Sequence, residues 1–376
     1  MAVDPEVELG ELSAAGLRRV LRPLESPAGP EVVRNGRTLH NFASNDYLGL
    51  AAHPRLSEAF IEGVRLYGSG SAASRLVAGT LPPHAALEED LAAAKGTEAA
   101  LVFSSGFATA IGCLPVIVGS GDTVVLDKLC HASLIDAAKL SGATLRVFPH
   151  NDVAKLRKLL STVREKNASG RILVVTESVF SMDGDLCPLE ELVSATEEAD
   201  ALLWLDEAHA FGVLGPEGMG LAARCGLQSR VAFQMGTFSK AAGLSGGYVA
   251  ASRTWIDLLV NRARAFIYST APPPALAHAT RESLTLIRSS EGDALRTRLH
   301  ANIRLLSGDA ESAIIPVLLG SNEDALAASA GLEAGGFMVP AIRFPTVPRG
   351  TARLRVSVSA AHDERIVAAL KELLPV

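Results

Sequence analysis

Gln234-Met-Gly-Thr-Phe-Ser-Lys240 shows the pattern from which the fold can be inferred: a short apolar run that stops at a polar turn. The apolar residues 231–235 predict a buried strand, and the glycine-rich segment that ends at Gly247 predicts a tight turn behind it. A lysine directly after a strand, among hydroxyls and glycines, suits an amine that attacks a carbonyl carbon. Taken alone, Lys240 is more simply explained as a solvated lysine, because lysines are rarely buried.

The same pattern repeats along the middle of the chain, where short apolar runs alternate with segments of helical periodicity. The runs are rich in valine and leucine, as in parallel strands that are covered on both faces. Seven strands are predicted, at residues 99–103, 123–127, 145–148, 172–176, 202–206, 231–235 and 247–251. Helices are predicted between them at residues 108–118, 133–140, 152–163 and 189–199. This alternation predicts an α/β fold with a mostly parallel seven-stranded sheet.

The N-terminal residues predict a separate arm. Residues 1–30 have the pattern of an amphipathic helix with a basic face, formed by Arg18, Arg19 and Arg22. Residues 31–41 then predict a strand pair that turns at Asn35-Gly36.

The C-terminal residues predict a second, smaller α+β domain. The run Ala271-Pro-Pro-Pro274 ends the central pattern, because consecutive prolines interrupt both helices and strands. Longer helices and fewer strands follow it. The predicted domains are an N-terminal arm at 1–46, a large domain at 47–266 and a small domain at 267–376.

Composition argues against several classes of protein. The formal net charge of -6 does not suit a protein that grips a nucleic-acid backbone through a basic face. Residues 99–121 are uncharged and long enough to cross a membrane, but their glycines, serines and Pro115 suit a buried strand, turn and helix better. The four cysteines lie far apart in the sequence, so we expect reduced thiols and no metal site. The N-terminus has no secretory signal, so we expect a cytoplasmic protein that does not bind a membrane.

Polar side chains follow five of the predicted strands, at the point where each strand ends. In a parallel sheet these carboxyl ends share one edge, where α/β proteins bind their ligands. The five segments are Ser105-Gly-Phe107, Lys128-Leu-Cys-His131, Glu177-Ser-Val-Phe-Ser181, Asp206-Glu-Ala-His209 and Thr237-Phe-Ser-Lys240. Five such ends are more than a scaffold requires, so we predict one ligand site along this edge.

These side chains together suit pyridoxal 5'-phosphate (PLP). Lys240 can form a Schiff base with an aldehyde if desolvation keeps its amine neutral. Asp206 can pair with a pyridinium nitrogen, His131 can stack on the ring, and the backbone N–H groups near Gly106 can hold a phosphate. Each residue also has a simpler explanation: His131 could cap a helix, and Asp206 could be a structural carboxylate that caps the next turn.

Leu202-Leu-Trp-Leu-Asp-Glu-Ala-His209 also looks like the Walker B segment of a helicase-type ATPase. That function needs a glycine-rich loop that ends in Gly-Lys-Ser or Gly-Lys-Thr, to hold the phosphates and Mg²⁺. The sequence contains no such loop, so we set the ATPase interpretation aside.

With these segments assembled, the chain from about Arg18 to Leu370 resembles the α-oxoamine synthase family of fold-type-I PLP enzymes. Matching motifs run from the N-terminal part to the C-terminal domain. They are Asn41-Phe-Ala-Ser-Asn-Asp-Tyr-Leu-Gly, Gly68-Ser-Gly, Ser105-Gly-Phe, His131-Ala-Ser-Leu, Ser178-Val-Phe-Ser-Met-Asp-Gly-Asp185, Asp206-Glu-Ala-His209, Thr237-Phe-Ser-Lys240, Tyr268-Ser-Thr270 and residues 341–355.

The resemblance implies how the cofactor is held. Lys240 carries the cofactor aldehyde, Asp206 pairs with the ring nitrogen and His131 stacks on the ring. The remaining cofactor contacts that it implies are Ser181 and His209 at the phenolic oxygen and Gly106, Phe107 and Thr237 at the phosphate. Ser269 and Thr270 match a segment that reaches the phosphate from a partner subunit, which implies a homodimer with shared active sites.

The resemblance also implies substrate contacts. Arg343 matches the residue that binds the amino-acid carboxylate, with Asn45 nearby. Arg19 and Thr346 match positions that contact the substrate, and His131 is expected to face the substrate as well as the cofactor.

The reaction that the resemblance implies is a decarboxylative condensation of an amino acid with an acyl thioester. The residues at 41–50 and 341–352 favour the member of biotin biosynthesis, which joins L-alanine to pimeloyl-CoA or to a pimeloyl thioester on acyl carrier protein (ACP). One alternative is a sibling reaction, with glycine and acetyl-CoA, glycine and succinyl-CoA, or serine and a long acyl-CoA. Another is a catalytically inactive dimerisation subunit, although such a subunit is expected to lack Lys240.

Overall fold

The computed structural model describes residues 4–375. The strands are β1 Glu31–Arg34, β2 Arg37–Asn41, β3 Ala99–Phe103, β4 Thr123–Asp127, β5 Thr144–Phe148, β6 Ile172–Glu177, β7 Leu202–Asp206, β8 Phe233–Thr237, β9 Gly247–Ala251, β10 Ile314–Gly320, β11 Phe337–Met338, β12 Ala341–Ile342 and β13 Ala352–Ser357. The helices are α1 Pro5–Ala14, α2 Pro54–Tyr67, α3 Pro82–Lys95, α4 Gly106–Ile117, α5 Ala132–Leu140, α6 Val153–Lys166, α7 Leu189–Glu198, α8 Leu221–Arg224, α9 Arg253–Arg262, α10 Arg264–Ile267, α11 Pro274–Ile287, α12 Ser290–Leu306, α13 Asn322–Ala334 and α14 Glu364–Leu373.

The central sheet has seven strands in the order β3-β9-β8-β7-β6-β4-β5, which confirms the predicted mostly parallel sheet. Only β9 runs antiparallel, pairing with β3 on one side and β8 on the other. The short connection between β8 and β9, residues 238–246, explains this direction, because a parallel crossover needs a dozen or more residues. The carboxyl ends of β4, β6, β7 and β8 therefore share one edge of the sheet.

The central strands are buried on both faces, as their apolar sequences predict. Side chains alternate between faces along each strand: Leu173 and Val175 pack in one hydrophobic cluster, while Val174 packs in another. This two-sided burial holds the strand ends rigidly, which suits a site that depends on exact side-chain placement.

The predicted strand at residues 231–235 is displaced by two residues. A short 3-10 turn, Gln228–Arg230, precedes the strand, which begins at Phe233 and runs to Thr237. Gly236 and Thr237 still pair with β9, opposite Tyr248 and Gly247. The apolar run ends at Met235, so the sequence predicts these two residues in the turn, whereas the backbone pairing continues through them.

The predicted N-terminal helix at residues 1–30 is wrong over most of its length. Within the described residues, α1 ends at Ala14, and no side chain in it is buried. Gly16 follows with φ of 65°, a left-handed conformation that ends a helix. Arg18, Arg19 and Arg22 lie beyond it in a non-helical segment, so they do not form a helix face.

Three helices of eight residues or more were not predicted: α2, α3 and α9. Two of them begin with proline, Pro54 and Pro82, a residue that favours the first position of a helix. Proline at these positions is therefore a signal of a helix start that is present in the sequence itself.

Two small sheets involve the C-terminal residues. One has the order β10-β13-β12, and the other joins the N-terminal hairpin β1–β2 to β11. The residues just after this hairpin, including Phe42 and Tyr47, share a hydrophobic cluster with Leu354 and Val356 of β13. The domain boundaries at 46/47 and 266/267 remain a prediction. None of the helices in residues 4–375 has the length and apolar character needed to cross a membrane.

Candidate active site

The polar strand ends converge on one cavity of about 220 Å³ at the carboxyl edge of the central sheet. Its lining residues are Ser105, Gly106, Phe107, His131, Ser133, Glu177, Asp206, Ala208, His209, Met235, Thr237, Ser239 and Lys240. All five segments that the sequence singled out contribute to it. A larger groove of about 400 Å³, lined by Arg157 and Glu198 among others, lies between α6 and α7 and contains none of these residues.

Lys240 places its amine inside this cavity. Its Nζ lies 2.8 Å from Nε2 of His209. Burial lowers the pKa of Lys240 to about 8, and the positive charge of Arg355 acts in the same direction, while Asp206 and Glu177 oppose the shift. A lowered pKa enlarges the fraction of neutral amine near neutral pH, which is the form that attacks a carbonyl carbon.

The turn that carries Lys240 is held by hydrogen bonds within the turn itself. Thr237 Oγ1 donates to the carbonyl oxygen of Gly246 at 2.6 Å, and the N–H of Gly243 donates to the carbonyl oxygen of Lys240 at 2.8 Å. Gly243 has φ of 68°, and a Cβ there would come within 2.5 Å of the backbone of Leu50 and Ala51. Only glycine fits at this position, so the loop before Ala51 packs directly against the lysine turn.

Asp206 is a buried carboxylate at the end of β7. Its Oδ1 accepts a hydrogen bond from the N–H of Ala208 at 2.9 Å, and no other hydrogen bond reaches the carboxylate within residues 4–375. Burial raises the pKa of Asp206, although the charge of Lys240 opposes the shift. A carboxylate with a free oxygen in a cavity suits a cationic N–H donor.

One end of the cavity suits a phosphate. Helix α4 begins at Gly106, and Ser105 caps it by accepting from the N–H of Ala108 at 3.0 Å. A Cβ on Gly106 would lie 3.5 Å from Cβ of Thr237, so the helix start and the Thr237 hydroxyl face the same end of the cavity. The Thr237 and Ser239 hydroxyls lie 2.8 Å apart. Helix N-termini and hydroxyls are typical phosphate ligands.

His131 caps a helix, which is one of the two roles that the sequence left open, and it also lines the cavity. It caps α5, because its Nδ1 accepts from the N–H of Ser133 at 3.2 Å, and its ring also lines the cavity. Since Nδ1 accepts, the neutral ring carries its proton on Nε2. Burial lowers the pKa of His131, which favours this neutral form.

Glu177 is a site residue that we did not select from the sequence. Its two carboxylate oxygens accept from the backbone N–H of His131 at 2.5 Å and of Ser181 at 3.3 Å. Burial, with the nearby Asp206 charge, raises the pKa of Glu177 to about 8. Glu177 thus joins the segment that carries His131 to the segment that carries Ser181. Its place at the end of β6 was a signal for its role.

A chain of hydrogen bonds leads from Lys240 to Arg355. His209 Nδ1 lies 2.6 Å from the Tyr47 hydroxyl, which lies 3.1 Å from Oδ1 of Asn45. Arg355 Nη1 donates to the same Asn45 oxygen at 3.1 Å. Burial lowers the pKa of His209 well below its usual range, and Lys240 and Arg355 add to this effect, so the ring is neutral. Tyr47 and Arg355 lie inside the motifs noted in the sequence, but neither was selected as a site residue.

Tyr47→Phe is expected to weaken the site without unfolding the protein, because it removes only the hydroxyl that orients His209. We expect kcat/KM to fall about tenfold, the loss associated with one buried hydrogen-bond partner. Steady-state kinetics and the unfolding temperature of the cofactor-free protein measure the two effects. Tyr248→Phe is a matched control, since Tyr248 is equally buried and its hydroxyl has no hydrogen-bond partner within residues 4–375. Equal losses in the two variants would contradict the role given to Tyr47.

The remaining predicted residues lie outside this cavity. Ser181 is buried beside it, and its carbonyl oxygen accepts from Arg355 Nε at 2.6 Å. Ser269 and Thr270 line a separate small cavity of about 10 Å³ that also involves Ser104 and Arg75.

The predicted substrate residues form two groups. Asn45 lies next to Arg355, as described above. Arg19 and Thr346 meet each other, with Arg19 Nη2 lying 3.3 Å from Thr346 Oγ1. Arg343 belongs to this second group, because its Nη2 donates to the carbonyl oxygen of Arg18 at 3.4 Å. The structure therefore brings the N-terminal segment against residues 343–346.

Comparison with known proteins gives a consistent picture. The family model described as aminotransferase class I and II matches residues 37–373. An 8-amino-7-oxononanoate synthase of Geobacter sulfurreducens is 47% identical over 380 residues, which cover 97% of this chain and 96% of the relative.

Solved structures show the same fold. A serine palmitoyltransferase of S. paucimobilis with bound PLP is 30% identical, with a TM-score of 0.92, and the match covers 98% of this chain and 95% of the other. An 8-amino-7-oxononanoate synthase of Francisella tularensis is 27% identical, with a TM-score of 0.75, covering 89% of this chain and 96% of the other.

Proposed function

The chain belongs to the aminotransferase class I and II family, and from that premise we propose that it has the activity of 8-amino-7-oxononanoate synthase. This activity makes it a PLP-dependent acyltransferase of biotin biosynthesis. The observation that supports it most is the 47% identity, over nearly the full length of both chains, to a relative with that name. The substrates of this activity are L-alanine and a pimeloyl thioester. Its products are 8-amino-7-oxononanoate, the free thiol and CO₂.

The cavity residues fit PLP in the chemistry of their groups. An amine with a lowered pKa, a buried carboxylate with a free oxygen and a helix N-terminus match an aldehyde, a pyridinium N–H and a phosphate. When bound, PLP supplies an aldehyde that captures amines and a ring that withdraws electrons from the carbon beside the captured nitrogen.

We assign the groups of the cavity to the parts of the cofactor. Lys240 holds the aldehyde, Asp206 holds the proton on the ring nitrogen, and His131 covers one face of the ring. The other cofactor residues are Gly106, Phe107 and Thr237 at the phosphate and Ser181 and His209 at the phenolic oxygen. We also assign Ser105 and Ser239, which line the same cavity, as contacts of the phosphate.

Arg355 is a better candidate than Arg343 for binding the amino-acid carboxylate. Its charge lowers the pKa of both Lys240 and His209, so it lies within electrostatic reach of the amine. Arg355 Nε donates to the carbonyl oxygen of Ser181, and Nη1 donates to Asn45 and Ser357. A guanidinium whose orientation is fixed in this way and whose charge reaches the amine is well placed to receive a carboxylate. This assignment replaces the role that the resemblance gave to Arg343.

The residues of this chain then perform proton transfer and orientation. The Lys240 amine takes the α-proton of L-alanine, whose carboxylate Arg355 holds. The α-carbon forms its new bond with the thioester carbonyl carbon, and the carbon–sulfur bond breaks to release the thiolate, which takes a proton from solvent. After CO₂ leaves, Lys240 returns a proton to the same carbon. Proton transfer by a positioned group contributes about 10²–10⁴-fold to rate.

A homodimer with shared active sites forms part of the proposal. Ser269 and Thr270 do not line the cavity of their own chain, so they are free to serve the partner's site. Large apolar side chains near both cavities are exposed, Phe107 by 51% and Tyr268 by 71%. Exposed apolar groups beside a binding site are typical of a protein interface.

Release of free thiol with different substrate pairs tests the proposed function. We expect L-alanine with a pimeloyl thioester to give the highest kcat/KM. Glycine with acetyl-CoA or succinyl-CoA and serine with palmitoyl-CoA are the comparison pairs, because the serine palmitoyltransferase fold matches this chain so well. Pimeloyl-CoA and pimeloyl-ACP are compared in parallel. A preference for serine or glycine would contradict the proposal, and the absence of turnover with all pairs would favour an inactive subunit.

A further inference from the structure

His150 bridges two carboxylates outside the active-site cavity. Its Nδ1 lies 3.0 Å from Oδ1 of Asp127, and its Nε2 lies 2.8 Å from Oδ2 of Asp185. Burial would lower the pKa of His150, but the hydrogen bonds to both carboxylates outweigh it and raise the pKa to about 10. The ring is therefore a cation that donates from both nitrogens.

The Asp127 side of this bridge holds the turn that leads to His131. Asp127 is buried at the last position of β4. Besides His150, its carboxylate accepts from the N–H of Leu129 and of Asn151, both at 2.8 Å. A fully bonded carboxylate at the start of a short turn fixes the direction of that turn, and therefore the placement of His131 at its end.

The Asp185 side holds the loop that carries Ser181. The Phe180 N–H donates to the carbonyl oxygen of Asp185 at 3.0 Å, which closes the loop on itself. The Phe180 ring also meets the His150 ring edge-on, with centroids 4.3 Å apart. His150 therefore contacts this loop through an ion pair and through an aromatic pair.

The two segments are also joined on the cavity side, where Glu177 accepts from the N–H groups of His131 and Ser181. Glu177 lines the cavity, whereas neither His150 nor its two carboxylate partners does. The two segments are thus connected twice, by Glu177 on the cavity side and by the His150 cation away from the cavity. Loss of either connection would let His131 and the segment that carries Ser181 move apart.

We propose that His150 is a positioning residue, which holds His131 and Ser181 in place for the cofactor by tying Asp127 to Asp185. The inference rests on the proposed function only in taking His131 and Ser181 as cofactor contacts. A positioning role for His150 differs from a purely stabilising role. Loss of a positioning residue weakens cofactor binding and makes it less ordered in a protein that still folds.

Asp185→Ala and His150→Gln test this role. Asp185→Ala leaves the inner His150–Asp127 pair intact, so we expect the cofactor-free protein to unfold at nearly the wild-type temperature. We expect the Kd for PLP to rise about tenfold, as is typical when a partner behind a binding residue is lost. The visible circular dichroism of bound PLP is expected to weaken. His150→Gln should show a similar loss, although Asn151 still donates to both Asp127 and Asp185, and the double variant should bind PLP no more weakly than the weaker-binding single variant.

His40→Gln and Glu31→Ala serve as matched controls, because His40 also pairs with a carboxylate, at 3.3 Å from Glu31, and is similarly exposed. These controls should bind PLP like the wild type. The inference is overturned if Asp185→Ala and a folded His150→Gln both bind PLP with wild-type Kd and dichroism, even where their unfolding temperatures drop. A wild-type protein that binds no PLP would overturn the proposed function and this inference with it.

Discussion

Replacing Lys240 with alanine is expected to lower turnover by about 10²–10⁴-fold, the contribution of a positioned proton-transfer group. Lys240 combines two tasks in the proposed reaction, holding the cofactor aldehyde and moving the α-proton. No other lysine in residues 4–375 lines the cavity, so no neighbour can take over either task. Thiol release under saturating L-alanine and pimeloyl thioester measures the loss.

A second measurement on Lys240→Ala separates the two tasks. Borohydride reduction should fix PLP covalently to the wild-type protein and not to the variant, since only a lysine amine provides the bond. Lys128→Ala is the control, because Lys128 also follows a strand of the central sheet, β4, but is exposed and does not line the cavity. Near-wild-type turnover in Lys240→Ala would contradict the whole assignment of the site.

Replacing Arg355 with glutamine is expected to raise the KM for L-alanine by about 10–100-fold, the loss associated with a hydrogen bond to a charged group. The acyl thioester does not depend on this contact, so its KM should change much less. Arg355→Lys keeps the charge but lacks the planar fork that bonds to both Ser181 and Asn45, so we expect an intermediate effect. Steady-state kinetics with each substrate varied in turn gives both constants.

Arg343→Gln is the informative comparison for this prediction. Arg343 is half-buried and hydrogen-bonded to the N-terminal segment, so its loss should leave the KM for L-alanine nearly unchanged. Because Arg355 is buried, the unfolding temperature of each variant must be measured alongside its kinetics. A raised KM in Arg343→Gln and an unchanged one in Arg355→Gln would restore the original assignment to Arg343.

The sequence was sufficient wherever a local pattern decided the structure. Asp206 could be found because it ends a short apolar strand, and His131 because it comes shortly after another. The carboxyl ends of parallel strands meet at one edge of the sheet. The arm containing Arg19 could not be placed in this way, since the helix that we predicted there ends at Ala14. Apolar periodicity in a short exposed segment is a weak signal, and a single glycine conformation, at Gly16, outweighed it.

Sequence by itself thus determined the α/β fold, the edge of the sheet where the candidate cavity lies, and the presence of Lys240 among its lining residues. Tertiary structure alone decided which distant residues complete it. Tyr47 and Arg355, which the sequence did not select, join Asn45 and His209 in one chain of hydrogen bonds only because the segment after β2 and strand β13 pack together beside the lysine turn. Such contacts depend on how whole elements pack, and spacing along the chain does not encode them. The same packing brings Arg355 close enough for its charge to lower the pKa of Lys240.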